Sequence, residues 1–88
     1  MLREQVMEYL LANVLDEIGD EFREAQAKHK SLNSAHEAYA VIREELDEFW
    51  DEVKKKREQR SKYAMRRELV QVAAMCVRTI LDVGLTSE

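Results

Sequence analysis

Apolar residues in the first third of the chain follow the spacing of one helix face. Between positions 2 and 25 they recur every three or four residues: Leu2, Val6, Tyr9 or Leu10, Val14, Ile18, Phe22 and Ala25. This period predicts an amphipathic α-helix from Leu2 to about His29. A glycine inside a helix, such as Gly19, costs about 1 kcal/mol of helix stability relative to alanine. A kink or an earlier end of the helix at that position therefore remains an alternative.

A second helix is indicated by a capping signal followed by a new apolar stripe. Ser34 and Glu37 have the spacing of a capping box, in which each side chain satisfies a free backbone N–H at the helix start. The stripe that follows consists of Ala38, Val41, Ile42, Phe49 and Val53. The helix is expected to end in the basic run 54–57, where positive charge complements the helix carboxyl end.

The third helix is predicted from about Lys62 to Val83, after a turn near 59–61, with Gly84 suited to a left-handed cap. Between Leu69 and Val77 it is apolar nearly all round, interrupted by Gln71. Two other helices can hardly surround such a cylinder, so we expect neighbours from another chain. The predicted fold is all-α, a three-helix chain forming an oligomeric helical bundle as a homodimer or homotetramer.

Composition agrees with a single helical domain over residues 1–88. The chain has two glycines and no proline, with 45% apolar and 36% charged residues. Such a composition favours helix over strands and tight turns, and it is too apolar for a disordered chain. Tyr9, Phe22 and Phe49 are expected in the core.

The cellular compartment is predicted from one cysteine and from missing signals. Cys76 lies in an apolar run and has no partner for an internal disulfide, so we interpret it as a core thiol of a reduced compartment. No stretch has the length of a membrane span, and the amino terminus lacks a signal-peptide pattern. We therefore expect a soluble, cytoplasmic protein without a membrane partner.

Charge is unevenly distributed along the chain. Eight of the 14 basic residues lie between Lys54 and Arg67, opposed there by Glu58 alone, although the net charge is −4. This basic window suits a solvated turn at a helix carboxyl end, which we favour, or a surface that gathers triphosphate or nucleic acid. A nucleic-acid partner is disfavoured, since the rest of the chain is acidic and no binding motif is recognisable.

A carboxylate occupies the apolar stripe of the second helix. Glu45 falls between Ile42 and Phe49 on that face, with Glu48 and Glu52 beside it. An ionised group there needs a partner, a metal or a water-filled pocket. The alternative is that the face is misassigned, or that the long side chain reaches solvent.

A second acidic position strengthens the metal interpretation. Glu68 begins a polar line on the third helix that continues through Gln71, Met75, Arg78 and Asp82. If the second and third helices pack antiparallel, Glu48 and Glu68 lie at similar heights from the turn. Oxygen ligands without a neighbouring Cys or His set suit a hard cation, Mg²⁺ or Mn²⁺, which in turn suits a phosphate-bearing substrate.

These two acidic segments resemble the motifs of the MazG-like all-α nucleoside triphosphate pyrophosphatases, E-E-x-x-E on one helix and E-x-x-D on the next. The matching segments are Glu44-Glu45-Leu46-Asp47-Glu48 and Glu68-Leu69-Val70-Gln71, within a likeness that spans about 34–82. The resemblance implies Mg²⁺-dependent hydrolysis of a nucleoside triphosphate to the monophosphate and pyrophosphate. It also implies that Glu45, Glu48 and Glu68 are metal ligands, with Glu44 as an accessory carboxylate.

The sequence departs from that pattern at Gln71, which stands where the family has its aspartate. An amide offers one carbonyl oxygen but no charge, so Gln71 is a weaker fourth ligand and a second metal is disfavoured. Activity is in doubt for this reason. The alternative function is a catalytically inactive helical oligomerisation or interaction protein with the same fold.

Catalytic and substrate-binding roles are assigned to four other residues. Glu44 or Glu52 is the candidate general base for the attacking water. Arg78 is a candidate phosphate ligand, although an ion pair with Asp82 four residues later is favoured, and Met75 is a candidate pocket wall. The remaining candidates are set aside: His36 as a surface residue, His29 as a residue near a frayed helix end, and Tyr39 and Trp50 as subunit-packing residues on the side of the second helix opposite Glu45.

Overall fold

A computed structural model describes residues 2–86 and contains three α-helices. They are α1 (Arg3–Lys28), α2 (Ala35–Val53) and α3 (Lys62–Asp82), with a short 3₁₀ helix, Arg57–Gln59, between the last two. No strand occurs among the described residues. The all-α prediction is confirmed. The bounds of α1 and α3 lie within one residue of those expected, whereas α2 ends at Val53, before the basic run 54–57 in which its end was expected.

Local capping chemistry explains where α2 and α3 begin. The Ser34 hydroxyl accepts a hydrogen bond from the Glu37 amide at 3.1 Å, and the Ser61 hydroxyl accepts one from the Ala64 amide at 3.0 Å. The other half of the predicted capping box is replaced, because the Glu37 carboxylate accepts from Asn33 Nδ2 at 3.3 Å. Each Ser satisfies one of the free N–H groups of its helix start.

Glycine acts at the end of α3 but does not interrupt α1. Gly84 has φ +73°, the left-handed conformation expected after a last helical turn. Beside it, the Leu85 amide donates to the Ile80 carbonyl at 2.8 Å and closes the helix. Gly19 lies inside α1, which continues unbroken to Lys28.

Helix α3 lies between the other two helices, which scarcely touch one another. Glu17 pairs with Arg66 and Gln26 with Asp82, so α1 runs parallel to α3. The turn after Val53 makes α2 antiparallel to α3, as predicted. The small core consists of Ala25, Ala74 and Met75, with Phe22, Val41 and Ile42 packed against it.

Two expected core residues are exposed in this chain. Tyr9 retains 66% of its surface, and Cys76 is also exposed, so both core assignments are wrong for the single chain. Tyr9 lies on a part of α1 that no other element within residues 2–86 covers, and Cys76 lies on the side of α3 that neither neighbouring helix reaches. Phe22 and Phe49 are half-buried, closer to the expectation.

The surface of α3 is also less enclosed than its composition suggests. Leu69, Ile80 and Leu81 are 45–51% exposed, because α1 and α2 cover only part of the cylinder. The expectation of neighbours from another chain therefore stays a prediction. None of the helices in residues 2–86 has both the length and the apolar character needed to cross a bilayer.

Candidate functional site

The antiparallel packing of α2 and α3 brings three predicted carboxylates together. Glu45 and Glu48 lie one helical turn apart on α2, and Glu68 faces them from the first half of α3. One carboxylate oxygen from each residue lies within 4.8 Å of the other two. The i, i+3 spacing aligns the first pair, and the short connection to α3 sets the height of the third.

Repulsion and burial make this cluster unfavourable for three free negative charges. Partial burial, followed by the charges of Glu48 and Glu68, raises the pKa of Glu45 to about 7. Burial also raises the pKa of Glu68, as do its hydrogen bond and charge interaction with Glu48, against a weaker lowering by Arg67. A proton or a cation placed between these groups relieves both effects.

Gln71 lies one turn beyond Glu68 on α3 and bridges two of the carboxylates. With its amide oriented to donate, Nε2 lies 3.1 Å from Glu68 Oε2 and 3.1 Å from Glu45 Oε2. The amide thus partly compensates the carboxylates without a metal. Rotating the amide by half a turn would present its oxygen to the same space.

The two candidate bases lie in different environments. Glu44 is exposed and borders the cleft described below. Glu52 is 6% exposed and faces the α2–α3 turn, where it accepts from the Ser61 amide at 3.0 Å and pairs with Lys55. The Lys55 hydrogen bond and the Ser61 amide hold the pKa of Glu52 below its usual range. Glu52 is therefore a structural residue of the turn, which argues against the catalytic role expected for it.

A cleft of about 460 Å³ adjoins the carboxylate cluster on the side away from the turn. Its walls come from the carboxyl end of α1, the following loop, the first half of α2 and the second half of α3. The lining residues are Glu21, Glu24, Ala25, Lys28, His29, Lys30, Leu32, Glu37, Val41, Glu44, Glu45, Gln71, Met75 and Arg78. A polar cleft beside clustered carboxylates is a common form of ligand site.

Arg78 forms the favoured ion pair and several further contacts. Its guanidinium lies 3.7 Å from Asp82 Oδ2, as predicted. It also donates to Gln26 Oε1 at 2.8 Å and to the Lys30 carbonyl at 2.9 Å, and the residue is only 3% exposed. These bonds hold the loop after α1 against α3, so Arg78 shapes the cleft.

Met75, the predicted pocket wall, lines the cleft and is 7% exposed. Its sulfur lies 3.7 Å from Arg78 Nη1, so the thioether and the guanidinium form one surface. The part of the polar line on α3 that runs from Gln71 through Met75 to Arg78 therefore borders one cavity.

Sequence reasoning missed the contribution of α1 to this cleft. Lys28, His29 and Lys30 border it, although His29 had been set aside as a residue near a frayed helix end. Lys28 pairs with Glu24 at 2.6 Å. Clustered basic residues at a helix end were the available signal, but nothing in their spacing pointed toward α2.

Four of the eight basic residues in the basic window form ion pairs within residues 2–86. Arg66 and Arg67 pair with Glu17, and Arg67 also contacts Glu21 Oε2 at 3.0 Å. Lys54 pairs with a neighbouring aspartate, as Lys55 does with Glu52. These ion pairs attach α3 to α1 and close the α2 end, in agreement with a structural interpretation of the window.

The aromatic residues of α2 lie away from the cleft. Tyr39 is 63% exposed and Trp50 is 57% exposed, and neither borders the cavity. Their use in subunit packing stays a prediction.

Comparison with known proteins adds no family assignment. No protein-family model matches the chain, and neither curated proteins nor solved structures gave a match. The function is therefore inferred from the residues of this chain and from the motif resemblance at 44–48 and 68–71.

Proposed function

We propose that the chain is a MazG-like, Mg²⁺- or Mn²⁺-dependent pyrophosphohydrolase that converts a nucleoside triphosphate into its monophosphate and pyrophosphate. The observation that carries the proposal is the convergence of Glu45, Glu48 and Glu68 from two helices beside a polar cleft. The residues of this cluster are those on which the motif resemblance depends.

The donor set fits a hard divalent cation. Glu45, Glu48 and Glu68 each offer a carboxylate oxygen within the same small space, and the Gln71 amide offers a fourth oxygen after rotation. Mg²⁺ and Mn²⁺ prefer such oxygen ligands, whereas the cluster includes no thiolate or imidazole for a softer ion. One bound ion fits this charge better than two.

The cleft residues then have separable tasks in the reaction. A bound divalent ion would supply charge neutralisation on the phosphate oxygens. Glu44, exposed at the cleft, is placed to accept a proton from the water that attacks the α-phosphorus as the bond to the leaving pyrophosphate breaks. Met75 offers an apolar surface for the base, and Arg78 keeps the loop after α1 in place.

A second function, an inactive oligomerisation or interaction protein, is favoured by the contacts of Gln71. Its amide contacts both Glu45 and Glu68 at 3.1 Å, so the cluster is hydrogen-bonded without a metal. A protein retaining the fold without turnover would gain stability from that arrangement.

A pyrophosphate-release assay on ribo- and deoxyribonucleoside triphosphates, with Mg²⁺ and Mn²⁺, separates these functions. The variants are Glu45→Gln and Gln71→Asp, with Asp47→Asn as a matched control on the opposite side of α2. The enzymatic function is supported if the wild type releases pyrophosphate, Glu45→Gln abolishes this turnover and Asp47→Asn preserves it.

Other outcomes of this assay are equally decisive. If only the Gln71→Asp variant is active, the wild-type chain is an inactive MazG-like protein that lacks the motif's aspartate. Absence of turnover in every variant, together with absence of Mn²⁺ binding by calorimetry, rejects the site altogether.

A further inference from the structure

The first half of α1 has no packing partner within residues 2–86. Every residue from 2 to 13 is exposed, whereas Val14, Ile18 and Ala25 face α3. The Glu17–Arg66 pair sets the register of the two parallel helices, so residues 3–13 extend beyond the first residue of α3, Lys62. At 1.5 Å per residue this projecting segment is about 16 Å long.

Its composition is unsuitable for a free helix in water. The apolar side chains Leu2, Val6, Met7, Tyr9, Leu10 and Leu11 are 38–66% exposed. An isolated helix shorter than about 12–15 residues is marginal even with favourable residues. A contiguous apolar surface of this kind marks an interaction site.

An apolar groove of about 440 Å³ lies where the projecting segment begins. Two helices line the groove. Helix α1 contributes Val14 and Ile18, and α3 contributes Lys62, Met65, Arg66, Leu69 and Val70. At 100° per residue, Met7 and Leu11 continue the stripe formed by Val14 and Ile18. The uncovered helix face and the groove therefore form one continuous apolar surface.

The charges on these two surfaces are complementary. Glu4 and Glu8 flank the Met7–Leu11 stripe, whereas Lys62 and Arg66 lie at the rim of the groove. Arg66 already pairs with Glu17, while Lys62 forms no ion pair within residues 2–86. A helix with the sequence of this segment therefore suits the groove both in polarity and in charge.

We propose that the occupant of the groove is the first half of α1 from a second copy of this chain. The two α1 helices cross antiparallel, so that Met7 and Leu11 of each copy pack near Val14 and Ile18 of the other. This direction brings Glu8 of each copy toward Lys62 and Arg66 of the other. The interface is two-fold symmetric, so each contact occurs twice and the Met7–Leu11 side of both projecting segments is covered. It is independent of the proposed enzymatic function.

The test measures the oligomeric state of the full chain by sedimentation equilibrium, with amide hydrogen exchange of residues 6–13. The wild type is expected to be an even-numbered oligomer with slow exchange in this segment. Leu11→Glu places a charge in the interface and raises the dissociation constant about 100-fold or more, with fast exchange at 6–13. Tyr9→Glu, on the opposite side of the same segment, is the matched control and keeps the wild-type association.

Charge reversal tests the direct contact without relying on an apolar change. Glu8→Lys and Lys62→Glu each weaken association several-fold at low salt, and the double variant restores it. A monomeric wild type, equal effects of Leu11→Glu and Tyr9→Glu, or failure of the double variant to recover would each overturn the proposal. A monomeric wild type would mean that the apolar face of the projecting segment binds a different protein or a lipid surface instead.

Discussion

With its side-chain amide oriented to donate, Gln71 places its nitrogen 3.1 Å from Glu45 Oε2, across the interface between α3 and α2. This contact joins the residue that departs from the family pattern to the carboxylate with the most strongly raised pKa. The metal-free cluster is therefore organised by a neutral donor, and a cation has to displace that hydrogen bond.

Replacing this amide by a carboxylate is expected to strengthen metal binding. Gln71→Asp removes the hydrogen bond to Glu45 and adds a negative charge, so the dissociation constant for Mn²⁺ falls about tenfold. The metal-free protein becomes less stable because a fourth carboxylate joins the cluster. Calorimetric titration with Mn²⁺ measures the first effect, and thermal unfolding in chelator measures the second. Unchanged Mn²⁺ affinity would show that position 71 does not reach the ion.

A divalent ion is expected to stabilise the fold by binding the folded state alone. At a hundredfold excess over its dissociation constant, Mn²⁺ contributes about 2.7 kcal/mol to the free energy of unfolding. Glu48→Gln removes one of the three converging carboxylates and most of this gain. Asp47→Asn leaves the cluster intact and is expected to retain the full stabilisation by Mn²⁺. Equal Mn²⁺ stabilisation in all three proteins would place the ion elsewhere on the acidic surface.

The metal-free protein is expected to lose stability as pH rises from about 4.5 to 7. The pKa of Glu45 is about 7 in the folded chain against an ordinary 4.5, so the folded state retains a proton that the unfolded chain has released. Stability from this group is complete below pH 4.5 and is lost as pH approaches 7. Because solvent screens this partly exposed carboxylate, the change is about 1 kcal/mol or less.

Glu45→Gln provides the control for that pH effect. Denaturant unfolding at several pH values in chelator should show a shallower loss of stability in the variant than in the wild type. Parallel curves for the two proteins would assign the pH dependence to other groups.

Arg78 is expected to matter for stability more than any surface arginine. Arg78→Met leaves Gln26 Oε1 and the Lys30 carbonyl without their buried donor and removes the cation paired with Asp82, which costs about 3 kcal/mol. Arg23→Met is the matched control, since that side chain is 74% exposed and its one ion pair within residues 2–86 is with Asp20. Urea unfolding measures both variants, and a loss for Arg78→Met no larger than that for Arg23→Met would contradict the structural role.

The helices and the carboxylate cluster were predictable because they depend on local geometry. Ser34 and Ser61 fix two helix starts through bonds to residues three positions later. Glu48 and Glu68 lie at comparable distances from one short turn, so antiparallel packing was enough to bring them together.

The cleft and the role of Glu52 were not predictable in the same way. Arg78 contacts Gln26 across 52 positions of sequence, and helical periodicity contains no information about such a pairing. Glu52 was expected beside the metal ligands because of its helix face, but its side chain bonds the Ser61 amide of the turn instead. Tyr9 and Cys76 show a further limit, since apolar periodicity identifies a face without identifying what covers it.

The parallel arrangement of α1 and α3 has a consequence for the order of folding. Contacts between α2 and α3 close short stretches of chain, such as the nine positions from Glu52 to Ser61, whereas Glu17 reaches Arg66 across 49. Short closures cost less entropy, so the α2–α3 hairpin forms early and α1 docks on it afterwards. All three converging carboxylates belong to that hairpin. We therefore expect the carboxylate cluster to assemble with the early α2–α3 hairpin, and the cleft beside it to form only after α1 has docked.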